Sequence, residues 1–398
     1  MNASTLEFNT GTARWSAVFS LFMGVTSLIA AEFIPVSLLT PIAQELAITE
    51  GMAGQSVTAV GVFAVITSLL LAPLTKNIDR RTILLTFSVL LVISNLIVGF
   101  APNYPIMLIG RGILGICVGG FWSMASAVTL QLVPTKDIPR ALSIVYSGVS
   151  VATIISLPLA SYLGHLVGWR NVFHMAGLMG LAALIWQFLT LPSMPAREGN
   201  NFRSMFGLLK SSWVLAGIIA TICSYGGYHV FFTYLRPFLE LDLHLHAATL
   251  STVLLAFGIA NCIGTFVAGA FLGRQFRPTL LGIHLVLAAI AVALFASVGM
   301  ATINIVLAVA WGFMFGFIPV GWSTWITRTL ADKAEIAGGL SVAAIQFSIG
   351  FAAAVGGFTF DNMGIQGIFV AGAVIQLLGA ILVKLSFGMF FKDNGRRA

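Results

Sequence analysis

Residues 15–40 read WSAVFSLFMGVTSLIAAEFIPVSLLT, an apolar run interrupted by one carboxylate, Glu32. As a helix rising about 1.5 Å per residue, it is long enough to cross the roughly 30 Å hydrocarbon core of a bilayer. An ion in hydrocarbon costs roughly 2.5–3.5 kcal/mol even on lenient insertion scales, so Glu32 is expected to face a cavity within the protein and to work there. The polar stretch before the run, Met1 to Arg14, has no small-residue cleavage site, so the run is expected to stay as a span.

Runs of the same kind fill the chain. They cover roughly 15–40, 52–75, 82–101, 105–131, 139–165, 172–191, 212–236, 248–273, 278–299, 302–328, 336–360 and 367–391. They are continuously apolar, which excludes the alternating pattern of a β-barrel. The chain is 58% hydrophobic and 8% charged, with a mean hydropathy of +1.00, whereas soluble domains carry about a quarter charged residues. The expected fold class is therefore an all-α membrane protein with twelve transmembrane helices. Cys117, Cys223 and Cys262 fall in three different spans and indicate neither a disulfide framework nor a metal site.

The net charge of +7 is a topology signal and does not imply nucleic-acid binding. With the N-terminus inside, 17 of the 20 Lys and Arg residues lie at inner span ends; only Arg170 and Arg236 lie at outer ends, and Arg111 lies within the bilayer. This bias puts both termini in the cytoplasm. The longest polar connection, 192–211, separates a bundle at 1–191 from a bundle at 212–398. No segment is long and polar enough to form an ATPase module, so any driving energy must come from an ion gradient.

The halves resemble each other. Arg111-Gly112 and Trp122-Ser123 in span four recur 200 positions later as Trp311-Gly312 and Trp322-Ser323 in span ten. Both spans carry glycines four apart, Gly115/Gly119 and Gly312/Gly316, a spacing that permits close helix approach. Two pseudo-symmetric six-helix bundles with a solute site between them is a recurrent transporter plan.

Several stretches carry a family resemblance: EFIPVSLL from Glu32, IGRGILG from Ile109, and Gly168-Trp169-Arg170. On these the chain resembles the major facilitator superfamily, and within it the twelve-span drug/proton antiporters. GMAGQSVT from Gly51, GWRNVF from Gly168, FFTYLRP from Phe231 and PVGWSTWITR from Pro319 further resemble bacterial purine-ribonucleoside efflux proteins. The resemblance implies a proton-coupled secondary transporter of the inner membrane that exports purine ribonucleosides such as inosine or guanosine by alternating access. Two departures stand out. Residues 72–81 read APLTKNIDRR, with Lys76 replacing the family's usual acid and Asp79 at a glycine position, so a gating ion pair there must be absent or rerouted through Asp79, beside Arg80 and Arg81. In span five Pro158 remains, but Leu157, Ser161 and Tyr162 stand where glycines are usual.

Depth counting places Glu32 and Arg111 both in the outer half of the first bundle, where a direct or water-bridged pair is geometrically reasonable. Together they are the expected proton-coupling residues; the alternative is a fixed structural ion pair. A nucleoside needs aromatic faces and a few hydrogen-bonding groups. The candidates are Trp122, Tyr225, Tyr228, His229, Phe232, Tyr234, Trp322, Trp325 and Gln346. Positions 225, 228, 229 and 232 share one helical face; Tyr234 and Trp325 lie near span ends, where aromatics commonly serve as interfacial anchors. His244 and His246 beside Glu240 and Asp242 form a solvated turn or, less simply, a metal site. No cofactor is expected. The expected partners are a small solute, the proton and the lipid bilayer, with the chain acting as a monomer. Sugar or multidrug efflux fits the same side chains. A non-transporting sensor would call for an added soluble output domain, and an enzyme for a clustered nucleophile and base; neither is found in these residues.

Overall fold

Apolar runs surrounded by lipid can satisfy their backbone polar groups only within helices, and every regular element among the described residues is helical. The computed structural model describes residues 13–75, 77–134, 137–195, 207–330 and 333–395. Spans one to six are Trp15–Leu46, Glu50–Leu74, Arg80–Gly99, Tyr104–Leu132, Ile138–Val167 and Trp169–Thr190, and spans seven to nine are Ser212–Thr233, Ala247–Arg274 and Phe276–Ala296. Span ten is two helices, Ala301–Phe315 and Phe317–Thr329. Pro319 has no N–H to offer the Phe315 carbonyl four residues back, and the helix breaks there, at Gly316.

Spans eleven and twelve lie in one stretch, Ala334–Gly395, that reverses at Gly364. The backbone there has φ 64° and ψ −160°, a conformation that glycine adopts without steric cost. Before the reversal the chain runs with span seven, Ser348 lying near Gly226 and Phe360 stacking on Tyr234. After it the chain runs back, Phe369 meeting Phe231 and Ser386 reaching the Trp213 carbonyl. The twelve expected spans are thus present. An even number puts the start of span one and the end of span twelve on one face, the terminal face; the other is the distal face.

The internal repeat is real, but its register is 197 and not 200. Gly115 and Gly119 pack on the carbonyls of Val60 and Ala64 in span two, and Gly312 and Gly316 pack likewise on those of Phe257 and Asn261 in span eight. A Cβ at these four glycines would meet those oxygens at 2.4, 2.1, 2.8 and 2.5 Å, so the close approach requires glycine. Each residue of the first set lies 197 positions before its counterpart. The tryptophan match at 200 places Trp122 and Trp322 about one helical turn out of true equivalence.

Each half is tied internally by a glutamine-centred polar cluster. In the first half Gln187 of span six accepts from Ser88 Oγ of span three (2.6 Å) and donates to the Ser20 carbonyl of span one. In the second half His284 of span nine hydrogen-bonds Gln376 of span twelve (2.7 Å) and Ser224 of span seven (3.1 Å). These groups are buried, and the partners meet the demand that buried polar atoms be satisfied.

The halves meet along two symmetric seams. Span two crosses span eleven at Gly61 and Gly350, and span eight crosses span five at Gly258 against Thr153 and Ile154, again 197 positions apart. Toward the distal face the contacts continue: Asp361 of span eleven accepts from Thr49 Oγ1 (2.7 Å) and Gly51 N (3.0 Å) at the start of span two. A carboxylate is favoured there by the helix N-terminus. Toward the terminal face, Ser123, Ser147, Ser323 and Thr327 are exposed on spans four, five and ten. The halves are thus held together toward the distal face.

Candidate functional site

Span one carries two prolines inside an unbroken helix, Pro35 and Pro41. Each removes the N–H that the carbonyl four residues earlier would receive, freeing those of Ala31 and Ser37. In a bilayer a freed carbonyl must find another donor. Arg111 Nη1 donates to the Ala31 carbonyl at 2.7 Å, and Arg236 Nη1 donates to the Ser37 carbonyl. The first arginine comes from span four of the same half, the second from the far half just beyond span seven.

Arg111 is fully buried, and its other donors also go to backbone: Nη2 to the Glu32 carbonyl (3.1 Å) and Nε to the Ser56 carbonyl (3.3 Å). It therefore clamps spans one, two and four together through main-chain oxygens. The expected side-chain pair with Glu32 is not formed as a contact: among the described residues no cation lies within ion-pair distance of the Glu32 carboxylate. The guanidinium still acts on it through space. From the other half the Gln346 side chain of span eleven interacts with the carboxylate, and its Nε2 makes no shorter hydrogen bond elsewhere among the described residues. A buried carboxylate and an amide thus face each other across the junction of the halves.

Beside this junction lies an aromatic cluster. Tyr228 stacks on Phe315 (4.1 Å between centroids), Phe232 (5.4 Å) and Trp311 (6.1 Å). His229 meets Phe232 and Phe315 edge-on, and Tyr225 meets Phe315. Phe33, next to Glu32, touches Phe232 at 5.4 Å and joins the cluster to span one. The helical face 225/228/229/232 is gathered here. Phe33, Phe315 and Phe257 belong to the same cluster and had no distinguishing sequence feature beyond position.

The remaining candidates are scattered. Trp122 is half-buried and stacks on Tyr146 of span five, toward the terminal face. Tyr234 is buried near the distal face; its hydroxyl donates to the Ala353 carbonyl (2.9 Å) and presses against Gly54 of span two. Trp325 packs on Gly217 and Trp213 inside the second half, and Trp322 lies beside it and His284, its Nε1 without a partner. Neither Tyr234 nor Trp325 touches the cluster around Tyr228.

Asp79 caps the start of span three, accepting from Arg81 N at 2.7 Å, and receives Ser193 Oγ and Met194 N from the end of span six. Arg80 donates to Thr75 and Arg81 to the Phe188 carbonyl. All three tie the first half to itself, and no gating ion pair is rerouted through Asp79 among the described residues; Lys76 lies outside them. Partial burial alone would raise the Asp79 pKa, but the hydrogen bonds from Ser193, Met194 and Arg81 outweigh it and hold the carboxyl below its ordinary 3.8. Its stabilising effect is therefore complete above that ordinary value and is lost as pH falls through the lower folded value. Asp79→Ala is expected to cost about 0.5–2 kcal/mol, the usual range for a lost N-cap. Thermal unfolding in detergent checks this: the gap from the parent protein is present at pH 7 and is smaller at a pH well below 3.8. A gap of equal size at both pH values would reject the assignment.

Gly168 supplies the φ of 83° that ends span five, and Trp169 and Arg170 both reach Glu45 at the end of span one. Among the described residues no group of three or more His, Cys, Asp and Glu could hold a metal ion, and His244 and His246 join no such group.

Comparison with known proteins agrees with this architecture. The profile of the Major Facilitator Superfamily matches residues 15–341 and 217–396. A protein of Salmonella enteritidis named purine ribonucleoside efflux pump NepI is 44% identical over 375 residues, 94% of each chain. The protein of that name in Shigella sonnei is 44% identical over 376 residues, covering 94% of this chain and 95% of its own. The fold is similar to that of an inward-facing, occupied bacterial homologue of the human lysosomal transporter Spinster, with TM-score 0.77, 15% identity and coverage of 97% and 99%. It is similar also to the nucleoside transporter NupG, with TM-score 0.72, 13% identity and coverage of 94% and 99%.

Proposed function

The chain belongs to the major facilitator superfamily and is a multi-pass membrane transporter, and we propose that it exports purine ribonucleosides in exchange for protons. The observation that carries the coupling is Glu32: a buried carboxylate without an ion-pair partner among the described residues, at the junction of two halves, facing the Gln346 amide of the other half. The names of the relatives at 44% identity support the cargo.

In this reading the terminal face is cytoplasmic, as the basic residues at inner span ends argue, and the membrane is the bacterial inner membrane. Residues 1–191 and 212–398 rock as two bodies about the connection 192–211, and the chain works as a monomer. Solute enters from the cytoplasm and stacks among Tyr225, Tyr228 and Phe232. His229, Gln346 and Glu32 supply hydrogen bonds to base and ribose, and Trp122 lines the approach. Solute binding releases the proton of Glu32 inward. Once the distal face has opened and the solute has left, Glu32 takes a proton from outside, and the neutral site closes for return. Arg111 holds the backbone of span one in place without neutralising the carboxylate directly.

The test of cargo uses purified protein in liposomes with an imposed pH gradient and labelled inosine, guanosine, a hexose and a cationic dye. Gradient-driven movement of the two nucleosides alone is the expected result. Movement of the hexose or dye, with inosine stationary, would leave a transporter with a different cargo.

A further inference from the structure

A second site of definite chemistry lies at the terminal face, remote from Glu32. A cavity of about 360 Å³ opens between the start of span nine, the end of span ten and the end of span twelve. Arg277 and Arg328 line it, with Phe276, Phe387, Phe390 and Phe391. The Arg277 guanidinium lies over the Phe391 ring, 3.4 Å from its centroid, and that of Arg328 lies 5.0 Å over Phe276.

Stacking covers the flat face of a guanidinium and leaves its N–H edge free, the edge that matches a phosphate in bidentate fashion. Neither arginine makes an ion pair or a side-chain hydrogen bond among the described residues, although both are exposed at the mouth of a cavity. Two stacked forks around one concavity are suited to an anion with several oxygens.

The surroundings select the source of that anion. The site sits where membrane-crossing helices end, and exposed apolar side chains adjoin it: Phe391 lines it on span twelve, and Phe271, toward the end of span eight, packs on Phe317 of span ten. A ligand with a phosphate at the level of the arginines and hydrocarbon against these side chains satisfies both. We propose that the cavity binds the phosphodiester headgroup of an anionic phospholipid, its acyl chains lying against the apolar, lipid-facing surface beside the phenylalanines that line it. Net negative charge is part of the proposal, since a choline or ethanolamine headgroup would add a cation beside two arginines.

Native mass spectrometry of the detergent-purified chain, titrated with phosphatidylglycerol, phosphatidylcholine or inorganic phosphate, tests it. The expected result is retention of phosphatidylglycerol over phosphatidylcholine by about tenfold or more, given about 1 kcal/mol per basic residue at a membrane surface. The preference should vanish in the Arg277→Ala/Arg328→Ala double variant. It should weaken in the double lysine variant, which keeps charge but loses the fork and keeps the test available if the alanine protein does not fold. Equal retention of the two lipids by the parent chain, or an unchanged preference in the variants, would overturn the proposal. Displacement of phosphatidylglycerol by millimolar inorganic phosphate would also overturn it and leave a site for a soluble anion.

Discussion

Glu32→Gln is expected to abolish accumulation of inosine against its gradient while leaving exchange of inosine across an equal-pH membrane intact. Glutamine matches the carboxyl group in size and can still hydrogen-bond, but it takes up no proton at any physiological pH. One pH unit is worth about 1.4 kcal/mol per proton, or about tenfold in the ratio of solute on the two sides. The parent protein in liposomes should therefore hold about a tenfold inosine ratio per pH unit if one proton moves per solute. The variant should relax to a ratio of one. Exchange separates coupling from folding and binding, because a misfolded variant loses both. Were the variant to build the parental ratio, Glu32 would not be the coupling group, and His229, buried in the neighbouring aromatic cluster, would be the next residue to replace.

The sequence made the ions legible because charge is so costly in an apolar run: Glu32 and Arg111 needed no structure to be singled out. Their relation to each other did need one. Arg111 reaches the carbonyl of Ala31, and the cause is Pro35, three residues after Glu32 in the same quoted stretch. The rule that proline frees the carbonyl four residues back could have marked Ala31 and Ser37 from sequence. Which donors arrive there depends on helix packing. The repeat shows the same division. The paired tryptophans suggested an offset of 200, yet tryptophans follow local space; the glycines mark where backbones touch, and they fix 197.

Among the aromatic candidates, helical spacing identified the face 225/228/229/232, since four residues of one helix must share a surface. It gave no account of Phe33 or Phe315, which reach the cluster from spans one and ten. Trp325 and Tyr234 were drawn in by residue type alone. One fills the groove over Gly217, and the other wedges between Gly54 and the Ala353 carbonyl. Residue type proposes a role in such cases, and packing decides it.

Arg236→Ala is expected to shift the protein toward a state open at the distal face. The guanidinium is buried and spans the two halves: it reaches the Ser37 carbonyl of span one, Ser161 Oγ of span five (3.2 Å) and Glu240 of its own segment (2.8 Å). The first two contacts join the halves, and separating the halves at the distal face would break them. Hydrogen bonds to charged groups contribute about 1.5–3 kcal/mol each, so losing even one shifts the balance between closed and open forms by about tenfold or more. Spin labels at Met52 and Met363, exposed on opposite halves of the distal face, would report longer distances in the variant. An unchanged distance distribution would remove Arg236 from the closing contacts. Pro41 supplies an independent check. Pro41→Ala returns an N–H to the Ser37 carbonyl, so Arg236 no longer has a freed oxygen to satisfy. The two substitutions should then be strongly non-additive, the second adding little to the opening caused by the first. Full additivity would mean that arginine and proline act separately, and that the freed carbonyl is not what the latch grips.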